Sequence, residues 1–197
     1  AMAESELKAF LTELLKYDRF LLLTHKRPDG DTVGSTAALC RILRAIGKTA
    51  YIKENPEMTR RLAPFVNPLE APDAYQPEVN IAVDLPSYGQ LPSAFFRYRE
   101  KIDFLIDHHM SNTVKPNILS YIDTHAAAAG EIIFEITELT GVGLDIDIAT
   151  ALYISISTDT GCFLYSNTSA KTHAIAAKLL SAGIDLPSIN REFFEKR

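Results

Sequence analysis

Cysteine is scarce in this chain. Cys40 and Cys162 are the only two, far apart and outside any CxxC pair, so neither a disulfide framework nor a thiolate zinc site is expected. Both read as packing residues. Long apolar runs are missing as well: no stretch approaches the roughly 20 residues that a membrane span needs, and the opening AMAESELKAFL lacks the basic-then-apolar order of a secretory signal. A cytoplasmic protein with no membrane partner is the expectation. Positive charge is not in excess, with 20 Lys and Arg against 25 Asp and Glu, a net charge of −5. That leaves no footprint for long nucleic acid, and a phosphate-bearing substrate would have to be held locally, by metal or by a small basic cluster. Internal repeats, low-complexity tracts and Gly/Ser-rich linkers are absent too.

What is present suits one well-filled domain: 197 residues, 47% of them apolar. Apolar, β-branched runs alternate with helical patterns. RFLLLT (19–24), TAYIK (49–53), NIAVD (80–84) and DFLID (103–107) read as strands, with NILSYI (117–122) as an edge strand. STAALCRILRAIG (35–47) reads as a helix closed by Gly47, and short helices are expected in MTRRLAPFV and near 93–99. The remainder looks helical, in AAAAGEIIFEITELTG, DIATALYISISTDTG, SAKTHAIAAKLLSAG and a last short helix in DLPSINREFFEKR. The expected class is α/β, a mostly parallel sheet flanked by helices with a helical C-terminal part. In such folds ligands bind beyond the carboxyl ends of the strands.

Chemistry-bearing residues recur at those strand ends. His25, Asp29 and Asp31 follow the first strand in LLLTHKRPDGDTVGS, Asp84 ends NIAVD, and Asp107, His108 and His109 end the next strand in LIDHH. Pro28-Asp29-Gly30 is also good turn chemistry, and Asp31 could cap a helix beginning near Thr32. Yet a carboxylate at a partly desolvated strand end needs a cation or hydrogen bonds to compensate it, and three strand ends repeat the pattern. Asp159 ends an apolar helix in ISTDTGCF, on the wrong side of the macrodipole, so it too asks for a positive partner. The donor set of His25, Asp29, Asp31, Asp84, His108 and Asp159 is mostly carboxylate with a minority of imidazole. It suits two hard or borderline cations, Mn²⁺ or Mg²⁺ ahead of structural zinc, with Fe²⁺, Co²⁺ or Zn²⁺ also accommodated. Two cations roughly 3.5–4 Å apart clamp the attacking and leaving oxygens of phosphate-ester hydrolysis. Asp145 and Asp147 in LDID mimic a metal-binding pair, but Asp147 reads as an N-cap; His125 and His173, near helix starts, read as exposed or capping histidines. Arg97, Arg99 and Lys101 read as a solvated face.

THKRPDGDTVGS, AVD, IDHH with the following SN, AAAAGEII and STDTGCF, in this order, resemble motifs I to IV of the DHH phosphoesterases. The spacing is similar to the stand-alone branch of small-oligonucleotide and phosphoadenosine-phosphate phosphatases related to RecJ. The resemblance covers nearly all of the chain. It implies that His25 and Asp29 bind one metal, that Asp31, His108 and Asp159 bind the other, and that Asp84 bridges both. Asp107 is implied to orient the histidines, and His109 to face the substrate phosphate, stabilising charge there. The implied activity is metal-dependent hydrolysis of short oligonucleotides, linear dinucleotides or adenosine bisphosphate. The alternatives are the inorganic pyrophosphatases of the same superfamily and a catalytically idle module that binds metal and nucleotide. The oligomeric state stays open, a homodimer included.

Two departures from the family pattern stand out. A small hydroxyl residue usually follows the bridging Asp, whereas here Leu85, Pro86 and Ser87 follow Asp84. Members of this branch also continue into a substrate-binding domain with a glycine-rich, histidine-containing motif, and no such motif occurs before Arg197. The expectation is a single DHH catalytic domain over 1–197, separated from that second domain.

Overall fold

The computed structural model describes residues 2–195. Five strands form one parallel sheet in the order β2-β1-β3-β4-β5: β1 Phe20–Leu23, β2 Ala50–Ile52, β3 Val79–Val83, β4 Phe104–Asp107 and β5 Leu119–Ile122. The helices are α1 Met2–Leu14, α2 Gly30–Ala45, α3 Ala63–Val66, α4 Ala129–Thr140, α5 Ile146–Asp159, α6 Ala170–Ser181 and α7 Leu186–Asn190. A π-helical turn, Arg191–Glu195, continues α7, so the expected last helix changes its winding partway. Lys196 and Arg197 lie outside the described residues. Among the described residues, no helix is long and apolar enough to cross a membrane.

Strand residues alternate between two cores, which explains why β1, β3 and β4 are buried at every position and mostly apolar. Phe20, Leu22, Ile81, Val83, Phe104 and Ile106 join a large core built with the helices. Leu21, Leu23, Ala82 and Leu105 join a smaller core, closed by Leu85, Leu91, Phe95, Tyr98, Ile102 and Val114. The helix expected near 93–99 is here a 3-10 segment, Ser93–Tyr98, which lays Phe95 and Tyr98 onto this second face. Leu85 is explained by the same packing. It is 2% exposed and fills the second core, where a hydroxyl would be unpaired. The opening segment, for which no element was expected, is α1; its Phe10 ring meets Phe104 edge-on with centroids 5.7 Å apart, covering the sheet beside β4 and β5.

The order reverses between β1 and β3. β2 lies to one side, and β4 and β5 lie to the other, so a crevice opens at the carboxyl ends there. Register decides what lines it. Leu23 pairs with Ala82, which carries His25 and Asp84, each two residues on, to the same level. Val83 pairs with Ile106, which sets Asp84 beside Asp107.

Two helix starts differ from the sequence reading. α2 begins at Gly30, and its N-cap is Asp29, whose side chain accepts from the Thr32 amide. Asp31 therefore sits in the first turn and is free for other work. α5 is capped by Asp145, which accepts from the Ile148 amide, and Asp147 lies in its first turn facing Arg41 at 3.5 Å.

Candidate metal centre

His25 stands two residues past β1 with its ring oriented from both sides. Its Nδ1 lies 2.7 Å from the Lys26 carbonyl, while Nε2 faces Asp29 Oδ1 at 3.4 Å and Asp84 Oδ2 at 3.6 Å. The buried Asn55, just past β2, holds the turn beneath. Its Nδ2 donates to Thr24 Oγ1 at 2.9 Å and to the His25 carbonyl at 3.0 Å. Asp84 closes β3 with φ of +63°, a left-handed conformation that is uncommon for a residue with a Cβ and recurs where function over-determines the backbone.

Asp31 is held by a helix other than its own. Ala128, the N-cap of α4, has no side chain able to cap, and Asp31 of α2 takes that place. Its Oδ2 accepts from the Ala129 amide at 3.0 Å, and its Oδ1 accepts from Ser155 Oγ at 2.6 Å and the Gly130 amide at 3.4 Å. A carboxylate at a helix N-terminus gains from the macrodipole and from the orphan amides. The approach requires glycine, since a Cβ at Gly130 would overlap Ser155 Oγ and one at Gly34 would overlap the Ala151 carbonyl.

The two histidines of DHH converge. Strand alternation by itself would send His108 and His109 to opposite sides, but β4 ends at Asp107, the chain leaves extended pairing, and the rings lie 4.6 Å apart. His108 Nε2 faces Asp31 Oδ2 at 3.1 Å, Asp84 Oδ1 at 3.3 Å and Asp159 Oδ2 at 3.4 Å. His109 Nδ1 bonds Asp107 Oδ1 at 2.7 Å and lies 3.7 Å from Asp84 Oδ1. Asp107 thus orients His109 alone. His108 is oriented through its Nδ1 by the Ala126 carbonyl at 3.2 Å. Asn112, in the SN pair after DHH, donates to Asp107 Oδ2 at 2.6 Å.

The result is two overlapping triads. His25, Asp29 and Asp84 offer ligand atoms all within 4.8 Å of one another, and so do Asp31, His108 and Asp159; Asp84 also groups in this way with Asp107, His108 and His109. Among the described residues, Asp84 Oδ1 and His108 Nε2 are buried atoms with no hydrogen-bond partner. A pair of buried polar atoms left so is costly unless something else meets them. Cations would do so, and the carboxylate and imidazole set fits them.

Charges respond accordingly. Burial disfavours the His25 and His108 imidazoliums, but the facing carboxylates, Asp29 and Asp84 for His25 and Asp31 and Asp84 for His108, outweigh it and raise the two rings to about 10 and about 11. Burial, then the Asp31 charge, pushes Asp159 up to about 8. Burial and the Asp84 charge raise Asp31. Asp29 and Asp107 are lowered against the cost of burial, by His25 and His109 respectively. Protonated imidazoles therefore occupy the place of cations in this cluster.

Thr24, Asn55, Ser155, Asn112 and the Ala126 carbonyl support these groups and were not singled out individually by the sequence reading. Ser155 carried a signal, standing one turn before Asp159 on the same helix. Cys40 is buried and Cys162 half-buried, both unpaired. His173 stacks on Phe163 with centroids 5.2 Å apart, and neither it nor His125 approaches the cluster.

Comparison with known proteins agrees with this geometry. The DHH family, N-terminal domain, matches residues 19–156. A bifunctional oligoribonuclease and PAP phosphatase NrnA of Thermus thermophilus is 33% identical over 169 residues, covering 85% of this chain and 51% of that protein. The Bacillus subtilis protein of the same name is 28% identical over 197 residues, covering 94% of this chain and 61% of its own length. An exopolyphosphatase-related protein from Bacteroides fragilis superposes with a TM-score of 0.84 at 21% identity, over 100% of this chain and 62% of that one, which speaks for the fold alone. The chain thus spans about half to three fifths of the curated relatives it matches. With all five strands and the ordered motifs falling inside the match over residues 19–156 or just past it, the chain belongs to the DHH family.

Proposed function

We propose that this chain is the catalytic part of a manganese-dependent phosphoesterase that cleaves short oligonucleotides, linear dinucleotides or adenosine bisphosphate to mononucleotides. The observation that carries this is the pair of buried, unpartnered atoms, Asp84 Oδ1 and His108 Nε2, 3.3 Å apart where the two triads meet. The relatives named above as oligoribonucleases and PAP phosphatases support the substrate class.

In this reading His25 and Asp29 hold one divalent cation, Asp31, His108 and Asp159 hold the other, and Asp84 serves both. Cations bound there would lower the pKa of water and neutralise phosphate oxygens. The chain's own residues do the rest. Asp31 is kept rigid by the α4 amides and Ser155, and the Lys26 and Ala126 carbonyls fix the ring orientation of His25 and His108, leaving each Nε2 toward the centre. His109 has a half-exposed side chain. Its bond to Asp107 raises it above the ordinary imidazole value, which favours the protonated ring that would donate to a phosphate oxygen as charge develops.

The test is turnover with Mn²⁺ on pApA, adenosine bisphosphate and pyrophosphate. Mononucleotide products from the first two, abolished by EDTA, are expected. Phosphate release from pyrophosphate alone would make the chain a pyrophosphatase, and tight Mn²⁺ binding with no turnover on any of the three would make it an idle binding module.

A further inference from the structure

Beside Asp29, on the side away from Asp84, a pocket of about 450 Å³ opens among Pro28, Gly30, Arg61, Thr158 and Phe193. Gly30 and Thr158 pack against each other along it, so closely that a Cβ at Gly30 would overlap the Thr158 side chain. One wall is aromatic. The Phe193 ring is partly buried against the main core and seated beside Phe65, with centroids 6.4 Å apart. The Arg61 guanidinium lies over that ring, 5.7 Å from its centroid. Arg61 also faces Glu192 at 3.7 Å with 40% of its side chain exposed, a surface pair weak enough for a ligand to displace.

We infer that this pocket receives the nucleobase of the nucleotide whose phosphate lies at Asp29, with Phe193 and Arg61 as its stacking surfaces. The inference rests on the phosphoesterase reading and adds to it a base subsite contained in this chain. A neutral flat ring suits the pocket better than a second phosphate, because its charged lining is one carboxylate, Asp29, against one guanidinium. Aromatic and guanidinium planes both stack on bases, and stacking tolerates any base because each has a π-face. The Thr158 hydroxyl already donates to the Ile154 carbonyl at 2.6 Å, so it has no proton left to offer a base edge. The subsite should therefore favour nucleotides over bare phosphate and discriminate little between purines.

The experiment is equilibrium titration of the Mn²⁺-loaded chain with AMP, GMP and inorganic phosphate, for the wild type, Arg61→Ala and Phe193→Leu, with kcat and KM on pApA alongside. Phe193→Leu keeps an apolar plug and removes only the stacking face; circular dichroism and the phosphate affinity report whether the fold survives. AMP and GMP should bind about equally, and each variant should weaken both by about tenfold while phosphate affinity stays within about twofold of wild type. KM for pApA should rise in parallel with little change in kcat. AMP affinity unmoved in both variants would overturn the subsite, and so would equal loss of AMP and phosphate in Arg61→Ala. A wild type that turns over pApA with a KM indifferent to both substitutions would sink the subsite and leave the hydrolase standing. A wild type that binds AMP through Phe193 but hydrolyses nothing would keep the subsite and sink the hydrolase.

Discussion

Asp107 and His109, two residues apart, share a 2.7 Å hydrogen bond between Oδ1 and Nδ1, while the residue between them turns toward Asp31 and Asp84. The carboxylate raises the His109 imidazole. The stability from this pair is full below the unfolded value of about 6.5 and is lost as pH rises through the higher folded value. Asp107→Asn should therefore lower the His109 titration midpoint, read by NMR, and move the pH above which turnover falls in the same direction. An unmoved midpoint would mean the bond does not govern His109.

Substituting the two histidines should separate metal from rate. His108→Ala removes a ring that contacts three carboxylates and should weaken Mn²⁺ binding sharply and abolish turnover. His109→Ala should leave Mn²⁺ titration nearly intact and slow the reaction by about 10²–10³-fold, the usual loss of one charge-stabilising donor. The 3.7 Å approach of His109 to Asp84 makes this a sharp test, because equal metal loss in both variants would put both rings in the metal shell.

Metal binding should release protons. In the metal-free site His25 titrates at about 10, His108 at about 11 and Asp159 at about 8, so each carries a proton at neutral pH that a cation must displace. Mn²⁺ affinity should rise with pH between about 6 and about 8. Calorimetry in two buffers of different ionisation enthalpy counts the protons, and a release of none would contradict the ligand assignment.

Gly34 and Gly130 should tolerate nothing larger. Alanine at either would collide with α5, at the Ala151 carbonyl and at Ser155 Oγ respectively, and should destabilise by about 1–3 kcal/mol in urea melts, as overpacking does. Gly130→Ala should also loosen Mn²⁺ binding, by pushing Ser155 off Asp31. Gly143→Ala, with nothing within 4 Å of the added carbon, is the control and should be nearly neutral.

Much of the fold is legible in local pattern. β1, β3 and β4 are mostly apolar on both faces, Asn80 in β3 excepted, because both faces of the sheet are covered, and polar or charged residues follow where each reaches the crevice. The caps were harder to read. Asp29 rather than Asp31 starts α2, and Asp145 rather than Asp147 starts α5, since acidic residues two apart near a helix start offer equivalent local signals. His108 and His109 were set apart by a strand rule that lapses one residue past the last ladder pair.

The sequence by itself determined the order of the elements after α1, a mostly parallel sheet and the eight candidate residues His25, Asp29, Asp31, Asp84, Asp107, His108, His109 and Asp159, because period, turn chemistry and motif order are local properties. Only the tertiary structure brings those residues within reach of one another. Register between β1, β3 and β4 places Asp84 between the triads, and Asp31 becomes rigid by capping α4, whose amides donate to a carboxylate 98 residues away. Phe193 and Arg61, distant from every motif, meet beside Asp29 through the packing of the last turn against α3. Such pairings are set by contacts between distant segments, which no local periodicity encodes.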